Sequence, residues 1–535
     1  MRLGIDFGTT HIVVAAVDRG NYPVVTFETP AGDPREWFPS LVAAQGGTLL
    51  FGWQAWSAIE NPNATMVRSL KRYLPDSGPQ TRVQVGEASA PMLDLLTGLA
   101  SALHEELLAA RLPGYKQGEP LECILGVPAN ANGNQRFLTA EAFRRAGFDV
   151  LGLLNEPSAA SVEYGHSAGP GAKAPEYLAV YDLGGGTFDA SLVAVGDQRH
   201  EVLANEGIPA LGGDDFDELL GMMALEAAGF NATQRDALTQ AELFRLFEEA
   251  RVKKEALSPA SRRIQVDLDV VREGWPAVTV PVADFYERSQ PLIEETLHAV
   301  DDLLAAPRPA VSSVYVTGGG SEMPLVARAL REKFGKKVRR SQYARSATAI
   351  GLAIRADAQA GYQLREQFTR NFGVWREADE GRSVVFDPLF TKGTPLPGVG
   401  ELPITVVRRY YPVHNIGDFR YLECSHTTPE GRPGGEVMLW DEIFFPFDRA
   451  LQDRFDLAKL EVVRLPWAPA EEVEERYECD SSGTVTVTIS NLASGYQRSF
   501  RLGRWSVSES TVVPARKRKT PARRPAARKA AKGGA

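Results

Sequence analysis

The chain has 535 residues, 44% hydrophobic and 24% charged, the composition of a soluble globular protein with two to four domains and sizeable cores. No apolar run approaches the eighteen or so residues that span a bilayer, and Asp6 interrupts the N-terminal apolar stretch, which excludes a membrane span and a secretory signal. Three cysteines (Cys123, Cys424, Cys479) and seven scattered histidines have no paired or metal-ligand spacing, which argues against structural zinc and for a reducing, cytoplasmic compartment.

The net charge is −9, yet nine lysines and arginines and no acid lie between Ala515 and Ala535, leaving about −18 for the rest. That reads as an acidic folded body with a basic, disordered arm.

The first element is Gly4-Ile5-Asp6-Phe7-Gly8-Thr9-Thr10, an apolar run ending in Asp, a glycine turn with hydroxyls, then Ile12-Val13-Val14. Leu95, Leu96, Leu99, Leu103 and Leu107 recur at helical spacing and predict a core-facing helix over 92–108. Leu121 to Pro128 reads as a buried strand, followed by a helix over 135–146. Asn155-Glu156-Pro157 opens another helical stretch. Val180-Tyr181-Asp182-Leu183-Gly184-Gly185-Gly186-Thr187-Phe188-Asp189 then repeats the opening design. Leu211-Gly212-Gly213-Asp214-Asp215-Phe216-Asp217 leads into a helical insertion over 214–258, strands over 264–282 and a helix over 284–305. Val314 to Thr317 is a strand ending at Gly318-Gly319-Gly320, before a helix over 324–334. Two halves that share a strand-turn-strand opening imply an internal duplication. From about residue 372 short strands alternate with Pro/Gly turns, as at 404–407 and 484–489, and Asp480-x-x-Gly483 marks a hairpin.

Either glycine hairpin alone reads as a tight turn or as a phosphate loop. Facing each other, the two would supply backbone N–H groups for a polyphosphate and carboxylates for its metal. With the Asn155 segment, the Leu211 segment and the Gly318 turn, in this order, they resemble the DnaK family of seventy-kilodalton heat-shock chaperones over residues 1 to about 360. Pro388-Leu389-Phe390-Thr391-Lys392-Gly393 and the strands around Asp480 resemble that family's peptide-binding domain. The resemblance implies an α/β actin-like (ribonuclease H-like) two-lobed ATPase domain over 1–362, a linker over 363–373, a β-rich (β-sandwich) domain over 374–512 and the basic tail over 513–535.

It also implies ATP and Mg²⁺ as cofactors. Asp6 and Asp182 would hold the metal's water shell and Glu156 a third carboxylate coupled to interdomain signalling. Gly8, Thr9, Thr10, Gly184, Gly185, Gly186 and Thr187 would line the phosphates, with Gly212 and Gly213 beside them. Asn63 to Arg72 resembles the segment bearing the catalytic lysine, here Lys71, with Thr187 contacting the γ-phosphate or the attacking water. Lys254, Ser258, Gly318, Gly319 and Gly320 match the nucleoside side. Departures fall there: Glu322 stands where an adenine-stacking Arg is usual, Arg251 where a ribose-contacting Glu is usual, and Arg345 where an Asp is common. Weaker nucleotide binding or a broader base preference is expected.

Pro128 and Arg136 match a proline switch and its arginine relay, although Pro128 equally reads as a strand terminator. The segment 363–370 lacks the leucine-rich linker of the family. Residues after Ile489 read as strand or turn up to Ala515, so no helical lid is expected and clients should leave quickly. The aromatic run from Tyr410 to Tyr421 reads as client surface or core. The tail suits phosphate backbones of nucleic acid or a solubilising role. The function implied is an ATP-hydrolysing chaperone of low activity that binds unfolded peptide segments and co-chaperones. The alternatives are a nucleotide-binding scaffold or regulator and a small-molecule kinase, the latter wanting an Asp general base beyond the metal-side carboxylates.

Overall fold

A computed structural model describes all residues except 60, 62, 111, 113, 169–175, 197, 306–309, 379–381, 399–400, 466–470, 482 and 503–535. The basic tail therefore lies outside the described residues.

The opening segment is apolar on both faces because it becomes an inner strand covered on both sides. Arg2–Phe7 (β1) pairs antiparallel with His11–Ala16 (β2), which pairs in turn with Phe38–Pro39 (β3). On its other side β1 runs parallel to Glu122–Val127 (β4), and β4 to Asp149–Asn155 (β5). Met92–Ala109 (α1) buries its leucine stripe against this sheet, and Gly133–Arg145 (α2) begins at a capping box made by Asn132 and Gln135. Glu156–Ala168 (α3) follows β5 directly.

The second sheet repeats the first. Glu176–Leu183 (β6) forms a hairpin with Phe188–Val195 (β7), which pairs antiparallel with Arg199–Ile208 (β8). Helices Gly213–Ala227 (α4), Gln240–Glu255 (α5) and Val282–Leu304 (α6) precede Ser313–Thr317 (β9), which is parallel to β6. Pro324–Phe334 (α7) leads to Val338–Arg340 (β10), parallel to β9, and Ala347–Ala356 (α8) follows. The orders β5-β4-β1-β2-β3 and β10-β9-β6-β7-β8 match in sequence and direction, which is the repeat expected from the paired hairpins.

Gln363–Arg365 (β11) hydrogen-bonds as a sixth strand, parallel to β8, and Leu364 packs onto the apolar cluster under β6 and β7. No leucine run is needed for that docking, because alternate residues of an extended segment face the same side.

Beyond it stand two four-stranded antiparallel sheets. One has the order Ser383–Phe390 (β13), Asn371–Ala378 (β12), Ile416–Thr427 (β15) and Pro433–Pro446 (β16). The other has Ile404–Tyr410 (β14), Val473–Cys479 (β17), Val485–Asn491 (β18) and Gln497–Arg501 (β19). Phe372, Tyr421 and Phe445 of the first meet Tyr477, Val487 and Ile489 of the second in one core. The aromatic run divides accordingly, Phe419 and Tyr421 inside the core and Tyr411 62% exposed. Cross-sheet ion pairs join Arg376 to Glu475 and Arg408 to Asp387.

The segment after β11 and the sheets beyond it both touch the β4–α2 side of the first lobe. Glu366 accepts from Asn155 Nδ2 at 2.7 Å, and Asn155 Oδ1 accepts from Arg136 at 2.7 Å. Glu423 accepts from Gly133 N at 2.9 Å, placing a carboxylate on the first turn of α2. Among the described residues no helix is long and apolar enough to cross a membrane.

Candidate functional site

The β1–β2 and β6–β7 turns meet at the centre of the first 360 residues. A Cβ on Gly185 would strike Thr10, and one on Gly186 would stand 2.5 Å from Thr9, so the hairpins touch only because these positions carry no side chain. The start of α4 is stitched to the second turn, Gly213 N donating to Gly184 O at 3.0 Å and Asp214 N to Gly185 O at 2.7 Å. Lys254 reaches back from α5 to Gly213 O and to Asp217, both at 2.7 Å. Arg72 donates to Gly186 O at 2.9 Å and pairs with Asp215, while Arg68 binds Asp214 and Asp217. The loop bearing Lys71 is thereby fixed over the turns.

Between the turns lies a cavity of about 360 Å³. Asp6, Lys71, Glu156, Asp182 and Thr187 line one end, with Gly8, Thr9, Thr10, Gly184 and Gly185 beside them. Gly213, Lys254 and Gly318 to Gly320 line it further along. Three expected residues stand back from it. Gly186 offers its carbonyl to Arg72 instead, and Gly212 packs behind Gly185, where a Cβ would come within 2.7 Å of the backbone. Ser258 sits on the exposed turn beyond the end of α5 and bonds Ser261 at 3.2 Å.

The chemistry concentrates at the Lys71 end. Lys71 is 3% exposed and donates to Glu156 Oε1 at 2.5 Å. Burial acts against its charge, but Glu156 and Asp6 outweigh that and hold the ammonium protonated, above its ordinary range. Burial, and then Glu156, push the Asp6 carboxyl up to about 7. Asp182 is driven well above the carboxylate range by burial first, then Glu156 and Asp6. Asp189, not singled out from the sequence, is also pushed to about 7 by burial and Glu156. It pairs across the hairpin with Asp182, so both carboxylates leave the same face. An acid seven residues after another across a four-residue turn was the available signal.

Four carboxyl groups around one lysine are more negative charge than one ammonium can balance, so without a further cation three of them tend to hold their protons. Among the described residues no three acidic, His or Cys side chains converge closely enough to ligate a metal directly. An all-oxygen set set back from one point fits a hard cation that keeps its waters, as Mg²⁺ does. The glycine turns with their hydroxyls fit a polyphosphate beside it.

At the other end His11, Trp37, Arg251, Glu255 and Arg345 line the cavity. Glu322 does not line it and binds Arg345 at 2.7 Å and Arg340 at 2.9 Å. Burial, then Arg251, lower His11 to about 3 and keep its ring neutral.

Near this centre, Asn155 links Glu156 to Glu366, and Ala129 N, beside Pro128, donates to Asp189 at 2.8 Å. Of the two residues singled out for coupling, Pro128 therefore sits beside a carboxylate of the cluster, whereas Arg136 reaches Asn155, one residue from Glu156.

Comparison with known proteins is consistent throughout. The family model described as Hsp70 protein matches residues 115–369. The chaperone protein DnaK of Thermotoga neapolitana is 30% identical over 537 aligned residues, covering 95% of this chain and 82% of that protein. The chaperone protein HscA of Proteus mirabilis is 33% identical over 67% of this chain and 58% of its own length, and the HscA homolog of Methylibium petroleiphilum 35% over the same shares. Paired phosphate-type hairpins, a buried lysine–carboxylate cluster and near full-length similarity to DnaK have one explanation: the chain belongs to the Hsp70 family.

Proposed function

We propose that the chain is an ATP-dependent molecular chaperone, which hydrolyses ATP in this cavity and binds exposed segments of unfolded proteins through its β-rich region. Residues 1–362 form an actin-like ATPase domain of two lobes, 363–373 the connection, and 374–512 a β-sandwich that takes client peptide. The observation that supports this most is the buried set of Lys71, Glu156, Asp6, Asp182 and Asp189 beneath two facing glycine hairpins.

Each group has a task set by its surroundings. The turn amides and the hydroxyls of Thr9, Thr10 and Thr187 orient phosphate oxygens. Asp6, Asp182 and Asp189 would hold Mg²⁺ through water, and the ion would supply neutralisation of phosphate charge there. Lys71, kept charged by Glu156, faces the γ-phosphoryl group and stabilises charge on its oxygens. Thr187 positions the attacking water. Hydrolysis of this kind asks for positioning more than covalent chemistry, so no further nucleophile is required. Asn155 connects Glu156 to Glu366, so the connection contacts the lobe one residue from the lysine's partner, while Glu423 of the β-rich region rests on α2.

ATP turnover by the full chain, with and without a reduced unfolded peptide, tests the proposal. The expected result is slow hydrolysis that peptide accelerates and Thr187→Ala abolishes. Tight ATP binding without turnover supports a scaffold, and turnover only with a small-molecule acceptor supports a kinase.

A further inference from the structure

One wall of the nucleoside end of the cavity is made of ion pairs, and their geometry is specific. Arg345, in the turn before α8, donates from Nε to Glu322 at 2.7 Å. Its Nη1 and Nη2 donate to Glu255 Oε2 on α5 at 3.3 and 3.2 Å. Carboxylates from two elements thus occupy the edge of the guanidinium. Its stem lies over Gly319, where a Cβ would sit 3.9 Å from Arg345 Cγ. The side chain is still 43% exposed and lines the cavity. With the edge engaged, what remains for a ligand is the flat face. Arg251 is bound in the same way by Glu248 and Glu255, and Arg340 holds Glu322 from behind at 2.9 Å. The wall is a chain of alternating charge, and Arg345 is its member facing the cavity from beside the glycine turn.

A second flat surface comes from the first lobe. His11 and Trp37 both line the cavity, their ring centroids 4.1 Å apart at an interplanar angle of 37°. His11 is close enough to feel the charges of Arg251, Glu255 and Arg345. Its Nε2 is buried without a hydrogen-bond partner among the described residues. Behind the pair, Trp53 and Trp56 back Trp37 at 5.4 Å each, so its position is set by packing.

We infer that Arg345 is the residue on which the nucleobase stacks, its guanidinium held flat by Glu255 and Glu322, with the His11–Trp37 pair closing the seat from the other lobe. This rests on the nucleotide reading above and specifies its base preference. Stacking on a flat cation responds to the area of the aromatic surface, whereas the pattern of donors and acceptors at a base edge is read by free polar groups. Here the polar edges are already paired to one another. The seat therefore favours purines over pyrimidines and separates adenine from guanine poorly.

Full-length protein titrated with the magnesium complexes of ADP, GDP, CDP and tripolyphosphate tests this. The wild type is expected to bind ADP and GDP within about tenfold of each other and CDP about tenfold more weakly, the scale of one base stack. Arg345→Ala and Arg345→Lys are both expected to weaken ADP and GDP about tenfold and leave tripolyphosphate unchanged, because Lys keeps the charge without the plane. Thermal unfolding of each variant checks that the fold survives. Wild-type ADP affinity in Arg345→Ala, full rescue by Arg345→Lys, or rejection of GDP by more than about a thousandfold overturns the inference. Failure of the wild type to bind any nucleotide or tripolyphosphate overturns the nucleotide reading itself, a different outcome from base-blind binding.

Discussion

The two ends of the cavity are built on opposite principles. At the Lys71 end backbone carries the structure: glycine turns in contact, amides stitched to carbonyls, and carboxylates buried until their protons are held to about pH 7. At the Arg345 end partly exposed side chains carry it, through ion pairs among Glu255, Glu322 and Arg345. Buried charges without partners are costly and tolerate little change, whereas exposed pairs are worth little each and can be exchanged. On the function proposed above, phosphate chemistry can be kept while the hold on the base is rebuilt.

The sharpest way to break this comparison is at the lysine. Lys71→Ala is expected to slow ATP turnover at least about a hundredfold, the scale for loss of one charge-stabilising donor, while ADP affinity stays within about threefold. Single-turnover rates and equilibrium titration read the two quantities separately. Gly318→Ala comes next. Gly318 has φ of 82°, and an added Cβ would strike Leu183 O and Asp182. A loss of about 2–4 kcal/mol in urea denaturation is expected. Arg345→Ala, in the partly exposed ion-pair wall, is expected to cost less than about 1 kcal/mol in the same assay. Equal losses at the two positions would erase the contrast.

Proton linkage sharpens it further. Asp6 and Asp189 ionise near 3.8 unfolded and near 7 folded, so the folded state holds protons that the unfolded state has released. Stability of the nucleotide-free protein is therefore expected to fall as pH rises from about 4 through 7 and to level off above. Magnesium binding needs these carboxylates ionised, so affinity for magnesium·ADP is expected to rise about tenfold from pH 6 to 8. Thermal scans and titrations across that range check both signs. The smallest effect is expected at the contact between regions. Glu423→Gln removes the charge over the first turn of α2 and should lower peptide stimulation of turnover by a fewfold without changing basal turnover.

Legibility in the sequence follows the same division. Hairpins such as 4–10 and 180–189 are written in consecutive residues, because a turn of this kind dictates its glycines and the apolar runs around it. The helix at 92–109 and the strand at 122–127 were readable for the same local reason. Asp189 escaped notice because its role depends on cross-strand register, and His11 because only the folded lobe sets it against Trp37. Glu322 and Arg345 each look like a departure until their mutual ion pair, 23 residues apart, is seen. Ser258 fits the motif, yet the chain turns it outward after α5. The contacts of Glu366 and Glu423 join segments more than 200 residues apart, which no local pattern records.

The central claim is that the buried lysine–carboxylate cluster hydrolyses ATP and that the β-rich region regulates it. Single-turnover hydrolysis of magnesium·ATP by wild type and Lys71→Ala, each with and without unfolded peptide, tests this most directly. Slow wild-type hydrolysis that peptide accelerates is expected, with at least about a hundredfold loss in Lys71→Ala that peptide does not restore. Equal rates in the two proteins, or no hydrolysis by the wild type under any condition, would contradict it.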